Sequence, residues 1–268
     1  MELLGYIGAI LMGLSLGLIG GGGSILTVPI LVYLFLVDPV LATAYSLFIV
    51  GLTSLVGSFS NMRLGNIHWR TAIVFGIPSI LAVYATRAWL VPAIPDPIFS
   101  VGATVISKAV GILVFFALIM VAAAYSMIRK QKATASTAKS EEVRFNYPLI
   151  LAEGSIVGMI TGIVGAGGGF LIIPALVLLA RLPMKQAVGT SLIIIAAKSL
   201  IGFTGDLKGH EVIDWNFLLT FSAIAVVGII AGSLLSKRIP NEKLKPAFGW
   251  FVLVMGIYII AKELSKLG

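Results

Sequence analysis

The feature that most constrains this chain is an internal duplication. When the 268-residue sequence is shifted by 145 positions, residues 13–58 align with residues 158–203 without a gap, and 17 of the 46 pairs are identical. With one inserted residue, Trp69 also aligns with Trp215. The chain is therefore expected to fold as two related halves.

Both copies are too apolar for a soluble domain. Hydrophobic residues make up 59% of the chain and charged residues 11%, against about 45–50% and about 25% in soluble globular proteins. The apolar runs are long enough for membrane-spanning helices and lack the alternation of membrane strands. The sequence predicts an all-α integral membrane protein with the lipid bilayer as its surroundings.

Composition also excludes several functions. There is no cysteine, and both histidines lie in polar loops, so neither a metal site nor a cofactor is expected. The net charge of +8 is attributed to basic residues of cytoplasmic loops, and nucleic acid is not expected as a partner. A homo-oligomer is compatible with the sequence.

The halves are separated by the longest polar stretch, which is typical of a solvated linker. This gives a first membrane repeat at 1–128, a linker at 129–146 and a second repeat at 147–268. Each repeat contains one glycine-interrupted apolar unit followed by three uninterrupted spans. The predicted units are 5–36, 40–60, 71–91 and 104–128, then 147–180, 186–205, 215–236 and 247–262.

The interrupted unit is best explained as a hairpin. One helix of roughly 32 residues would be about 48 Å long, which exceeds a hydrocarbon core of about 30 Å. A hairpin with the glycines at its tip fits, and its ends lie on one side of the membrane. A hairpin plus three spans crosses the membrane an odd number of times, so the two repeats are expected to have inverted topology.

The basic residues agree with inversion. If the linker is cytoplasmic, 13 lysines and arginines lie inside, 5 lie outside, and Lys198 lies within a span. A multi-pass membrane protein with a cytoplasmic central linker is expected.

The two glycine clusters predict an anion site. Helix N-termini expose unpaired amides with a partial positive charge, and glycine allows a close approach of a ligand. Two such tips meeting from opposite sides would bind a small anion without a basic side chain, whereas the alternative is close helix packing. The candidate binding residues at the tips are Gly21, Gly22, Gly23, Ser24, Ala166, Gly167, Gly168 and Gly169.

Lys198 is the polar outlier of the spans. A lysine inside a membrane helix is costly unless it contacts a cavity or a partner, so a role in substrate binding or proton coupling is predicted. A structural ion pair is the alternative. Its repeat equivalent is Thr53. Hydroxyl residues of the same spans complete the candidate binding set, namely Ser46, Thr53, Thr190 and Ser191, although each could instead bond its own helix backbone.

Further polar residues are candidates for coupling or gating. Asn61 and Asp206 are repeat equivalents that end the same span on opposite faces. Glu153, in the first arm of the second hairpin, could carry a proton, as could Lys198. Arg87 is expected to extend towards the membrane surface.

The duplicated motifs GLIGGGGSILTVPIL and GIVGAGGGFLIIPAL resemble those of the sulfite exporter TauE/SafE family of membrane permeases. The spans LATAYSLFIVGLTSL and KQAVGTSLIIIAAKSL, and the tryptophan-containing segments NIHWRTA and EVIDWNFLL, resemble the same family. The resemblance covers nearly the whole chain. It implies a permease of a bacterial or archaeal plasma membrane that transports small sulfur-containing anions such as sulfite, sulfoacetate or other organosulfonates. The hairpin tips are not exact repeats: Ala166 is the repeat equivalent of Gly21, and Gly169 is the repeat equivalent of Ser24.

The leading hypothesis is a secondary transporter that exports such an anion by alternating access, with protons as a candidate coupling ion. Two transport alternatives stay open, an importer or a channel for another small anion or organic acid. A membrane-embedded enzyme is disfavoured because the sequence shows neither a Ser/His/Asp set nor metal ligands. No enzymatic activity is therefore expected.

Overall fold

The structure is a computed structural model that describes residues 2–101, 104–128, 147–178, 180, 182–208, 213–236 and 241–265. The first half contains α1 (Glu2–Ile19), a 3-10 turn (Gly22–Leu26), α2 (Thr27–Leu34), α3 (Pro39–Arg63), α4 (Trp69–Ala85), a π-helical turn (Thr86–Leu90), α5 (Val91–Ala93), the strands β1 (Phe99–Val101) and β2 (Thr104–Ile106), and α6 (Lys108–Ile128). The second half contains α7 (Tyr147–Val164), α8 (Gly169–Leu178), α9 (Met184–Thr204), a 3-10 turn (Asp206–Lys208), α10 (Trp215–Leu235) and α11 (Asn241–Ser265).

The helical membrane fold predicted from the sequence is confirmed. Seven helices among the described residues are long and apolar enough to cross a membrane, while Gly22–Leu34 and Pro148–Val164 are shorter apolar helices. The antiparallel pair of β1 and β2 is a small addition that the sequence did not predict. The predicted linker 129–146 lies outside the described residues.

The first glycine-interrupted unit is a helical hairpin. The chain turns at Gly20 and Gly21, and the second arm returns along α1, so that Gly8 packs against Ile30 near the open end. Gly23, just beyond the turn, packs against the α1 backbone. In the second half, α7 and α8 are broken at the equivalent glycines, and Gly168 packs against Thr161.

Three of the spans, α3, α4 and α10, begin at side-chain caps. Asp38 accepts a hydrogen bond from the Val40 amide at 2.8 Å, directly before Pro39 in the first turn of α3. His68 and Asp214 cap α4 and α10 in the same way. Such caps satisfy amides that have no partner within the helix, and they fix where a span begins.

Helices α3 and α9 cross at the centre and run antiparallel. Gly51 packs on Leu200, and Gly57 packs on Leu192. These helices are equivalent in the sequence repeat. The remaining pairs also correspond between halves, since α1 packs on α10 as α7 packs on α4, and α6 packs on α11.

Candidate functional site

The two hairpin tips touch at the centre of the protein. A Cβ atom added to Gly21 would lie 2.6 Å from the Gly169 Cα, so the two backbones are in direct contact. The Ser24 hydroxyl joins the tips by donating to the Gly21 carbonyl at 2.9 Å and to the Ala166 carbonyl at 3.3 Å. The predicted tip residues that lie here are all buried: Gly21, Gly22, Gly23, Ser24, Ala166, Gly167, Gly168 and Gly169.

The departures from exact repetition lie at these contacts. Gly21 touches Gly169, and the repeat equivalents of this pair are Ala166 and Ser24, which also touch. One tip contact is therefore made by two glycines, and its counterpart carries a hydroxyl. This hydroxyl makes the tip region chemically asymmetric on an otherwise repeated backbone.

Lys198 reaches the second tip from α9. Its ammonium is fully buried and donates to the Thr161 hydroxyl at 2.6 Å. A Cβ atom added to Gly168 would lie 2.9 Å from Lys198 Nζ. Among the described residues, no carboxylate lies within ion-pair distance of this ammonium. These residues therefore do not support the alternative of a structural ion pair.

The candidate hydroxyls divide into two groups. Ser191 contacts the first tip, because its hydroxyl donates to the Gly20 carbonyl at 3.0 Å. Ser46 is buried and has no hydrogen-bond partner among the described residues. Thr53 instead donates to its own helix at the Ile49 carbonyl, and Thr190 accepts the His68 amide at 2.9 Å.

Arg87 does not extend towards the membrane surface as the sequence suggested. It is 1% exposed and forms a fork with Asp206, with both Nε–Oδ2 and Nη2–Oδ1 at 2.7 Å. Its Nη1 group donates to the Thr43 hydroxyl at 2.9 Å and to the Gly162 carbonyl at 3.2 Å. Burial of an arginine is favourable only when a carboxylate and further acceptors replace water, which explains the correction.

Sequence reasoning missed this pair because Arg87 and Asp206 are 119 residues apart. Each lies at the end of a predicted span, on the same predicted face of the membrane. This shared position is the signal from which their pairing could have been predicted. Burial raises the pKa of the Asp206 carboxyl above its ordinary value, and the neighbouring Arg87 opposes that rise.

Two cavities lie at opposite ends of the α3 and α9 pair. The first, here called the Arg87 cavity, has a volume of about 230 Å³ and is lined by Tyr45, Arg87, Lys108 and Asp206. The second, here called the Asn61 cavity, has a volume of about 310 Å³. Its polar lining residues are Ser60, Asn61, Asn66, Lys185, Ser233 and Ser236.

The cavities approach different hairpin tips. The Asn61 cavity is lined by Gly17 and Leu18, just before the first tip. At the Arg87 cavity, Arg87 bonds Gly162, which is the repeat equivalent of Gly17. Asn61 and Asp206 thus each line one of the two cavities. Glu153 is half-buried in α7, eight residues or about 12 Å along the helix from Thr161.

A multi-pass helical protein with two broken hairpins that meet at its centre, flanked by a cavity at each end, has the architecture of a membrane transporter. The comparisons with known proteins agree. The chain belongs to the sulfite exporter TauE/SafE family, whose model matches residues 6–259. No solved structure matches the chain significantly.

Relatives in bacteria and archaea are named as probable membrane transporter proteins. One from Xylella fastidiosa strain 9a5c is 30% identical over 261 residues, covering 96% of this chain and 94% of the relative. One from Methanocaldococcus jannaschii is 28% identical and covers 94% of each chain. One from Bacillus subtilis, YunE, is 24% identical and covers 96% of this chain and 98% of the relative.

Proposed function

We propose that this protein is a secondary transporter that exports small sulfur-containing anions, such as sulfite or organosulfonates, across the plasma membrane. The single observation that carries the proposal is the contact of two buried glycine tips between two cavities at opposite ends of the molecule. The family name supports the substrate class. The transport reaction requires no cofactor and no enzymatic step.

In this mechanism the halves are inverted, and the linker is cytoplasmic. The substrate binds where the tips meet, between backbone amides of one or both tips and the ammonium of Lys198. The contact between the tips opens towards one side of the membrane and then towards the other, so that the site is accessible from one side at a time. The tip contact in this structure supports a carrier over a channel, because it lies between the two cavities.

Unpartnered hydroxyls support a polar ligand in this region. Ser54 and Ser199 are repeat equivalents, and both are buried without a hydrogen-bond partner among the described residues, like Ser46. Buried polar groups without a partner are costly and commonly mark a place where a ligand binds or moves. Their positions on α3 and α9, which cross at the centre between the two cavities, fit a pathway between the cavities.

The proposal is tested by flux into liposomes that contain the purified protein, with sulfite, ethanesulfonate, sulfate and acetate offered separately. Saturable uptake of the sulfur anions is expected in the wild type. Lys198→Ala is expected to weaken sulfite transport about tenfold to a hundredfold, because it removes one charge-assisted hydrogen bond to the substrate.

Lys262→Ala is the matched control, since Lys262 lies over the Tyr33 ring at 4.3 Å, in a separate contact from the tips. It should transport like the wild type. Unchanged transport by Lys198→Ala would remove Lys198 from the site and leave the tips. If acetate moves saturably and no sulfur anion does, the substrate class is wrong.

A further inference from the structure

The charged pair at the Arg87 cavity is built like an occupied anion site. Arg87 presents a planar fork whose two nitrogens hold the two oxygens of Asp206. Carboxylates, sulfonates and sulfur oxyanions all offer paired oxygens to such a fork. Asp206 thus occupies the place that the oxygens of an entering anion would take.

The fork is fixed in place from two other elements. Thr43 on α3 and Gly162 on α7 hold the remaining Nη1 group. If Asp206 moves away, Arg87 therefore keeps two contacts and stays directed at the cavity. A free anion entering beside an ionised Asp206 would put a second negative charge on the buried Arg87 cation, because Lys108 lines the same cavity but is only partly buried; this is unfavourable in a region of low polarity.

Resting on the proposed function, we propose that the Arg87 cavity is a second anion site, on the path between the tips and one side of the membrane. There the substrate anion replaces Asp206 at Arg87, and the released carboxylate takes up one proton. One singly charged sulfonate or sulfur oxyanion and one proton then bind together. Before the exchange the site holds the Arg87 cation and the Asp206 anion. Afterwards it holds the Arg87 cation, the substrate anion and a neutral carboxylic acid, so the charge of the buried site is unchanged.

The surrounding groups are consistent with this exchange. Lys108, at the start of α6, lines the same cavity and adds a positive charge that attracts anions. Tyr45 on α3 also lines it, and its hydroxyl accepts the amide of Asp214, whose carboxylate caps α10. Burial raises the pKa of Asp206, which favours proton uptake once the fork is released. Residues 209–212 and the Lys208 side chain lie outside the described part of the chain.

Among the described residues that line it, the Asn61 cavity has no equivalent pair. Asn61 stands where the repeat places Asp206, and Ser233 stands where it places Arg87 when the inserted residue is counted. Neither an amide nor a hydroxyl exchanges a proton near neutral pH. On the described residues, proton-linked binding is therefore expected at the Arg87 cavity and not at the opposite one.

The test is calorimetric binding of ethanesulfonate to the full chain in lipid nanodiscs between pH 5 and pH 8. The charge of ethanesulfonate is constant over this range, so any pH dependence belongs to the protein. We expect affinity to rise as pH falls, by up to about tenfold per pH unit. Titrations in buffers of different ionisation enthalpy are expected to report uptake of one proton per bound anion.

Asp206→Asn keeps the shape of the side chain and removes the proton exchange. It is expected to bind ethanesulfonate without pH dependence and without proton uptake. The control Asp38→Asn changes an exposed carboxylate that caps α3, and asparagine preserves that cap. It should behave as the wild type does. If Asp206→Asn does not fold, Lys198→Ala decides the question: proton uptake retained in that variant is expected and cannot come from Lys198, whereas its loss would overturn the inference.

Wild-type affinity that is equal at both pH limits, with no proton uptake, would overturn the inference, as would pH dependence retained in Asp206→Asn. Saturable transport of sulfur anions together with either result would leave the proposed function intact. Absence of ethanesulfonate binding at every pH would overturn the inferred ligand class. Absence of flux for every sulfur anion would overturn the proposed function as well.

Discussion

At the scale of single residues, Gly20 turns the first hairpin with a φ of 79°, and its repeat equivalent Gly165 has a φ of 71°. This left-handed conformation is costly for residues with a Cβ atom. Gly20→Ala should destabilise the protein by about 1–2 kcal/mol for the backbone conformation, and more through contact with Val188. The measurement is thermal unfolding in detergent, compared with the wild type.

Gly22→Ala is the control from the same cluster. Its backbone is not left-handed, and its added Cβ would lie 3.1 Å from the flexible Phe248 side chain. A change within about 0.5 kcal/mol is expected, because the ring can move slightly. Equal destabilisation by the two substitutions would show that crowding, and not backbone conformation, makes the cluster glycine-rich.

At the scale of secondary-structure elements, glycines bring α1 and α10 into backbone contact. A Cβ atom added to Gly228 would lie 3.0 Å from the Leu14 amide nitrogen, so the helices would have to separate. Gly228→Ala is expected to cost about 1–3 kcal/mol, as overpacking usually does. Thermal unfolding and binding of an apolar dye would report the loosened contact.

Gly76→Ala, within α4, provides the comparison. The nearest atom to its added Cβ is at 3.8 Å, an ordinary contact with Ile194. Since alanine favours helices over glycine by about 1 kcal/mol, this variant should be neutral or slightly more stable. Loss of stability in Gly76→Ala equal to that in Gly228→Ala would refute the explanation by close packing.

The elements were the part of the fold most accessible from sequence. Span length follows from bilayer thickness, and the hairpins follow from glycines inside an apolar run. Even the contact of the two tips followed from the repeat. The π-helical turn at Thr86–Leu90 could not be predicted, because helical periodicity carries no signal for one extra residue in a turn. That turn carries Arg87, so its burial and its pairing with Asp206 were missed together.

The candidate site was predictable only in part, for a related reason. Lys198 stood out because a charge in an apolar span needs an explanation, and the structure places it at the second tip. Thr53 and Thr190 share the expected helices, but they bond to Ile49 and His68. Which hydroxyl faces a tip depends on helix rotation, and the low amphipathicity of these spans leaves that rotation undetermined by the sequence.

At the scale of the whole molecule, the repeated backbone carries unequal chemistry at its two ends. The Arg87 cavity holds two cations and one carboxylate, whereas the polar lining of the Asn61 cavity consists of hydroxyls, amides and Lys185. In a carrier, two repeated halves would give the two open states similar energies. Unequal side chains in the two cavities would make the substrate affinities of these two states respond differently to pH.

Inverted topology is testable with one matched pair of positions. Met62 and Leu207 are repeat equivalents, next to Asn61 and Asp206, and their side chains are 41% and 46% exposed. The chain has no cysteine, so Met62→Cys and Leu207→Cys can each be labelled without background. Inversion predicts that a membrane-impermeant maleimide added to intact cells modifies Leu207→Cys and spares Met62→Cys until the membrane is opened. Because the two positions are equivalent in the repeat, modification of both from one side would establish parallel halves and would remove the basis for a site formed by tips that approach from opposite faces.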